Sequence, residues 1–291
     1  MMDWKAVDKR LIRRGELILD LQTIKNHRKE LQEMNEGRPG PRYTLANSYI
    51  RLLAAVRYIY AMPYRQLEGY TKAIHRLVPE LPSGDYSGLR KRILRLPVDP
   101  YNDLSQSSEP VTIALDSTGL KVEKAGGWIE RKHGKKKHYV KLHFAVRVDT
   151  HEVVAMEVTT DDVHDVRALP GLVEESRRNV RVIRVLGDPA YDSSKVYELL
   201  EGMGIEAVVK PKANARVDRG HSGRRWAVSV IKALGYDGWA RVMGYGRRWA
   251  VETAYSTFKR LFGEGVMGRS LGSIAAELVG KVAVYNALAR M

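Results

Sequence analysis

From Val111 onward the chain alternates short β-branched runs with helix-like stretches, and this pattern restricts the fold more than any other feature. The runs VTIALD, HYVKLHFAVRVD and EVVAMEVT come before any helix pattern, so the segment opens as a strand meander. A helix pattern follows over 165–178, then the strand RVIRVLGD, the helix SSKVYELLEGMG and the short strand IEAVVK. Strands that first run on and then alternate with helices predict a mixed α/β sheet with flanking helices. Residues 211–244 are rich in Gly and Arg and read as an irregular basic excursion before the final helices.

The first hundred residues read as helical. A mixed, charged stretch over 3–34 is broken by NEGRPGPR, and the apolar YTLANSYIRLLAAVRYIYAM follows. Pro63 then opens YRQLEGYTKAIHRL, consistent with proline in a first helical turn. After PELPSGD comes YSGLRKRILRL, a short basic helix with Arg90, Lys91, Arg92 and Arg95. Two helices joined by a turn, the second basic, suit a helix-turn-helix DNA reader. They equally suit a solvated helix in an ordinary bundle, and spacing alone leaves both readings open. The polar stretch DPYNDLSQSSEP is a linker by composition. The expected organisation is a small all-α domain over 1–100, a linker at 101–110 and an α/β domain over 111–291.

Charge narrows the partner. Lys and Arg number 49 against 34 Asp and Glu, a net charge of +15 that favours a polyanion, nucleic acid before an anionic membrane. No apolar stretch of about 18 residues is read in the sequence, and the N-terminus lacks the apolar region of a signal peptide. The expected location is cytoplasmic and nucleoid-associated, with no membrane partner. The chain has no cysteine, so any metal site must use carboxylates or histidines, and carboxylates favour Mg²⁺ or Mn²⁺. The segment 121–143 carries Lys135, Lys136 and Lys137 and reads as a basic hairpin able to grip a phosphate backbone. His133, His138 and His143 in it lack the spacing of a helical zinc site.

Three carboxylates stand out. Asp116 closes the run VTIALD and Asp188 closes VIRVLGD, which predicts both at the C-terminal ends of strands, where ligand crevices form. Glu252 lies in YGRRWAVETAYSTFK, where Tyr245, Arg248, Glu252 and Lys259 would share one face of a helix. Taken singly, each Asp reads as a turn former or cap, and Glu252 as half of a surface ion pair with Arg248. Together they would bring three negative charges into one crevice, a site that demands cations. Two Mg²⁺ ions among such carboxylates can activate a water or a 3′-hydroxyl for in-line phosphoryl transfer. Asp161, Asp162, His164 and Asp165 read as a helix N-terminus capped by Asp, and Asp192 as an outer-shell or capping residue.

The spacing of Tyr245, Arg248, Glu252 and Lys259 resembles the Y-x2-R-x3-E-x6-K signature of insertion-sequence transposases of the DDE superfamily. The blocks LDSTGLKV, RKHGKKKHYVKLHFAV, VHDVRALPGLVEE and LGDPAYDSSKVYELL resemble that family's characteristic regions in the same order, and the resemblance runs from about residue 43 onward. It implies a ribonuclease-H-like catalytic fold with Asp116, Asp188 and Glu252 as a triad binding Mg²⁺ or Mn²⁺, two ions. It further implies that Tyr245, Arg248 and Lys259 contact DNA phosphates near the transposon end. Intervals of 72 and 64 residues between the carboxylates leave no room for a large inserted domain. Pro189 departs from the pattern, where Gly or Ala would be expected. The implied function is a DNA transposase acting on double-stranded DNA, cutting terminal inverted repeats and joining them to target DNA, as a homodimer on DNA. A stand-alone nuclease on the same fold, or a DNA-binding derivative without chemistry, are the alternatives.

Overall fold

The computed structural model describes residues 12, 21–102, 104, 109–122 and 139–290. The predicted contacts Lys135, Lys136 and Lys137, with His133 and His138, lie outside the described residues.

Among the described residues, four helices precede the sheet: α1 (Leu21–Asn35), α2 (Asn47–Ile59), α3 (Tyr64–Leu77) and α4 (Tyr86–Arg95). Pro63 sits just outside α3 as its N-cap rather than in its first turn. Asp85 caps α4, its carboxylate accepting from the amides of Ser87 and Gly88 at 2.9 Å each. This satisfies two of the donors a helix start leaves open.

The sheet is built from β1 (Val111–Val122), β2 (Tyr139–Arg147) and β3 (Val153–Thr160), then β4 (Val182–Gly187) and β5 (Glu206–Val209). Its order is β3-β2-β1-β4-β5, with β1, β2 and β3 antiparallel and β4 and β5 running parallel to β1. Helix α5 (Asp165–Asn179) joins β3 to β4, and α6 (Ser194–Gly202) joins β4 to β5. A two-residue strand, β6 (Gly265–Val266), adds to the far end of β1. Helices α7 (Ser222–Met243), α8 (Trp249–Phe262) and α9 (Leu271–Ala289) complete the chain. This mixed sheet with helices on both faces is the ribonuclease-H-like arrangement expected above.

Strand alternation assigns the two faces. Ile113, Leu115 and Ala145 point into a core with α5 and α6. Ala114, Leu142, Phe144 and Leu186 point the other way, into a core shared with α2, α4, α8 and α9. The N-terminal helices are thus packed into the sheet's second core. One glycine makes that approach feasible: a Cβ on Gly280 of α9 would stand 2.6 Å from the Tyr58 ring of α2.

Two expectations change. Residues 222–243 form a helix, where the sequence read as irregular. The helical signal was weak because Gly223, Gly235 and Gly238 each lower helix propensity, and only Ala227, Val228 and Trp239 are buried to mark a stripe. Gly235, at φ +73°, kinks the helix. Helix α9 is, against the sequence reading, long and apolar enough to cross a membrane by length and composition, at mean hydropathy 1.2. Half of it is buried within the fold, and it carries the buried ion pair Glu277–Lys281 at 2.9 Å. Those features describe a core helix.

Candidate active site

Asp116 does not end its strand. Strand β1 continues to Val122 because β2 pairs with it throughout, from Ile113 against Arg147 to Lys121 against Tyr139. It is β4 that stops. The parallel register matches Ala114 to Leu186, so two residues further along each strand Asp116 and Asp188 stand level. Asp116 therefore lies where β1 loses its β4 neighbour, beside the first residue past the end of β4. By alternation it shares the face of Ala114 and Phe144, the face covered by α8.

Asp188 is the cap of a single 3₁₀ turn, Pro189–Tyr191, and accepts from the Ala190 amide at 2.9 Å. Pro189 occupies the first position of that turn, where its missing N–H costs nothing. The departure from the family pattern is accommodated without strain.

Glu252 stands in the first turn of α8, more than half exposed, in a close ion pair with Arg248. Arg248 also reaches Asp116, at 3.8 Å between Nη1 and Oδ2. A single guanidinium thus links the carboxylate on β1 to the carboxylate on α8. The four signature residues do not share a helical face: Tyr245–Arg248 is a 3₁₀ turn, and α8 begins only at Trp249. Gly244, at φ +61°, ends α7 just before that turn and sets its direction. Tyr245 is buried, with its hydroxyl donating to the Gly187 carbonyl at 3.1 Å. It is spent on the backbone next to Asp188. Lys259, seven residues beyond Glu252 and on the same face of α8, is partly exposed and makes no ion pair among the described residues.

Burial pushes the Asp116 carboxyl up to about 6, and the charges of Asp188 and Glu252 add to it. The Ser117 amide and Arg248 oppose the shift. Among the described residues, no three acidic or histidine side chains stand close enough to hold a metal ion as they are placed. Arg248 lies between Asp116 and Glu252 in that arrangement. The donor set is all oxygen and carries an excess of negative charge that one arginine only partly offsets. That chemistry fits a hard divalent cation.

The raised pKa has a consequence for stability. A carboxyl whose folded pKa exceeds its unfolded value favours folding below pH 4 and loses that contribution as pH rises towards 6. Asp116→Asn is therefore expected to melt higher than wild type at pH 7 in chelator, by about 1–3 kcal/mol. The two proteins should converge at pH 4. Thermal melts at the two pH values check this, and equal melting at pH 7 would contradict it.

Two supports of the site carried weak sequence signals. Tyr255, which reads as an apolar flank, donates its hydroxyl to the carbonyls of Asp116 and Leu142 at 2.8 and 2.9 Å and stacks on Phe144 at 4.7 Å. It locks α8 onto the strand that bears Asp116. Asp192 is buried, receives Arg224 through two bonds at 2.6 and 2.9 Å, and accepts from the Lys212 amide at 2.8 Å. It ties the turn after Asp188 to α7.

The segment 161–165 leads into a helix start as expected, with Asp165 in its first turn, but no Asp stands at the N-cap. The N-cap of α5 is His164, which makes no side-chain cap bond. Asp165 instead pairs with Lys141 at 3.1 Å, and Asp162 accepts from Thr160. Buried His143 bonds Thr159 at 2.8 Å, and its burial favours the neutral ring.

On α4, Arg90 and Lys91 are exposed. Arg92 is turned inward: it donates to the Leu45 carbonyl and Asn47, and lies 4.1 Å over the Tyr43 ring.

A family model described as a transposase DDE domain matches residues 107–287, and a second of the same description matches 12–125. Among solved structures, the chain is similar to piggyBac transposase in a synaptic complex with hairpin DNA. Identity is 11%, over 94% of this chain and 73% of that one, with TM-score 0.43. It is also similar to the Drosophila P element transposase in a strand transfer complex, at 12% identity over 90% and 69% of the two chains, with TM-score 0.36. For the Mos1 strand transfer complex the values are 16%, 80% and 82%, with TM-score 0.22. All three scores are low.

Proposed function

Because a transposase DDE domain spans most of its length, this chain belongs to the DDE transposase family, and we propose that it cuts the ends of its own element and joins them to target DNA. The observation that carries the reading is the level placement of Asp116 and Asp188 at the end of β4, with Arg248 running from Asp116 to Glu252.

In this reading Asp116, Asp188 and Glu252 hold two Mg²⁺ or Mn²⁺ ions. When bound, these supply an activated oxygen nucleophile and charge to steady the leaving oxygen. The remaining work belongs to the chain. Tyr245 and Tyr255 anchor the backbone beside Asp188 and at Asp116, which fixes the separation of the two aspartates. Arg248 is a positioning residue for Asp116 and Glu252 and offers a planar cation to a phosphate once its carboxylates are engaged elsewhere. Lys259 presents a second cation along α8. Arg90 and Lys91, with Lys135, Lys136 and Lys137, add positive charge for the DNA backbone. Arg92 supports this group from within, by holding α4 against the start of α2. Residues 1–100 serve as the DNA-reading portion and 111–291 as the catalytic portion, joined at 101–110. The partner is double-stranded DNA, as terminal inverted repeats and then as target, and the two ends are handled by a homodimer. The protein works in the cytoplasm at the nucleoid.

The test compares nicking of a duplex carrying the element's terminal repeats with a scrambled duplex of equal length, in Mg²⁺. Preferential nicking at the repeat boundary, followed by joined product, is expected. Equal nicking of both duplexes without joining would favour a stand-alone nuclease. Binding without metal-dependent nicking would favour a non-catalytic derivative.

A further inference from the structure

Of the three carboxylates, two are already claimed by a cation that belongs to the fold. Arg248 forms a close ion pair with Glu252 and approaches Asp116 to 3.8 Å. The Asp116 carboxylate also accepts from the Ser117 amide at 2.8 Å. Asp188 stands outside this linkage, holding the Ala190 amide at 2.9 Å. A guanidinium that spans two carboxylates engages the oxygens that a divalent ion would need. It is thus a competitor for the ion as well as a neighbour of it.

The backbone under Arg248 is held, whereas its side chain is long and jointed. Tyr245 pins the 3₁₀ turn to the Gly187 carbonyl at 3.1 Å, and the Trp249 ring lies 6.3 Å from that of His151. Arg248 itself has helical backbone angles, φ −58° and ψ −30°, and its side chain keeps 19% of its surface in solvent. The guanidinium can therefore leave the carboxylates by side-chain rotation alone, with no movement of α8. Charge sets when it would leave. Three carboxylates and one guanidinium carry two net negative charges, and two divalent ions would convert that to two net positive charges. An incoming phosphate that takes up the guanidinium relieves this repulsion.

We propose that Arg248 is a latch on metal loading: in the free chain it occupies Asp116 and Glu252 and holds metal affinity low, and DNA phosphate draws it away and opens both carboxylates to the ions. The assignment rests on the carboxylate-site reading given above and adds an order of binding, DNA before full metal loading.

The test titrates Mn²⁺ into the DNA-free full chain and follows unbound Mn²⁺ by electron paramagnetic resonance. Arg248→Gln should bind Mn²⁺ about tenfold tighter than wild type, the scale expected for losing two partly exposed ion pairs. Arg248→Lys keeps a cation without the planar fork and should fall between the two. Should Arg248→Gln fail to fold, the tighter binding of Arg248→Lys carries the comparison. Adding Asp116→Asn to Arg248→Gln should abolish the gain. A second readout is binding of the terminal-repeat duplex by fluorescence anisotropy at matched ionic strength. Ca²⁺ should raise duplex affinity more in wild type than in Arg248→Gln, by about the same tenfold, because coupling between two ligands is reciprocal. Equal or weaker Mn²⁺ binding by Arg248→Gln, with binding still lost on Asp116→Asn, would overturn the latch and leave the carboxylate site standing. Mn²⁺ binding that ignores Asp116→Asn in both backgrounds would sink the site and the latch with it.

Discussion

Asp188→Asn is expected to lower DNA cleavage by about a thousandfold or more while leaving the fold intact. The substitution keeps the shape of the side chain and an acceptor oxygen for the Ala190 amide, its one hydrogen bond among the described residues. The 3₁₀ turn at Pro189 therefore survives. What disappears is a unit of negative charge level with Asp116. Charge at that point acts on a cation, on a reacting phosphate and on the Asp116 carboxyl that it pushes up, so loss of activity without loss of stability assigns Asp188 to chemistry. A nicking assay in Mg²⁺ and a thermal melt on the same preparation read the two effects separately. Wild-type nicking by Asp188→Asn would remove it from the site.

The largest expected loss of stability lies elsewhere, in α9. Glu277 and Lys281 are both almost fully buried and paired at 2.9 Å. The carboxylate also accepts from the amides of Met267 and Gly268 at 3.0 and 2.9 Å, while the ammonium donates to the Gly265 carbonyl at 3.0 Å. One turn of α9 thereby clamps the segment holding β6, and β6 pairs with the last residues of β1. Lys281→Met leaves a buried carboxylate without its counter-ion and is expected to cost about 3–5 kcal/mol. The Glu277→Gln, Lys281→Met double variant should recover part of that loss, because no uncompensated charge remains. Urea midpoints at unchanged slope measure both. Single and double variants of equal stability would show that the ion pair is not the source of the effect.

The strand meander, the later alternation with helices and the helices over 21–95 were all legible, because burial on one face imposes a period on the sequence. The carboxylates were legible for a different reason: an Asp closing an apolar run is chemically conspicuous. Its exact placement was not. Whether Asp116 ends β1 depends on where β2 and β4 pair, and pairing is a long-range property that no local window contains. The helix through Gly235 was hidden because its glycines speak against it and few of its side chains are buried. Tyr245 was misplaced on a helical face for a related reason. A 3₁₀ turn and a first helical turn share much the same residues, and only contact with Gly187 separates them. The role of Tyr255 was invisible because an aromatic at a core position carries no mark of what its hydroxyl will meet.

Glu252 belongs to the site by chain position and by its link through Arg248, yet it is the most exposed of the three carboxylates and the one whose placement owes most to a neighbouring cation. The sharpest measurement is therefore strand transfer in Mg²⁺ by Glu252→Gln beside wild type, on DNA carrying precut element ends. Precut ends bypass the first cleavage and report on joining alone. Joined product from wild type and none from Glu252→Gln is the expected result. Wild-type levels of joining by Glu252→Gln would contradict a single three-carboxylate centre.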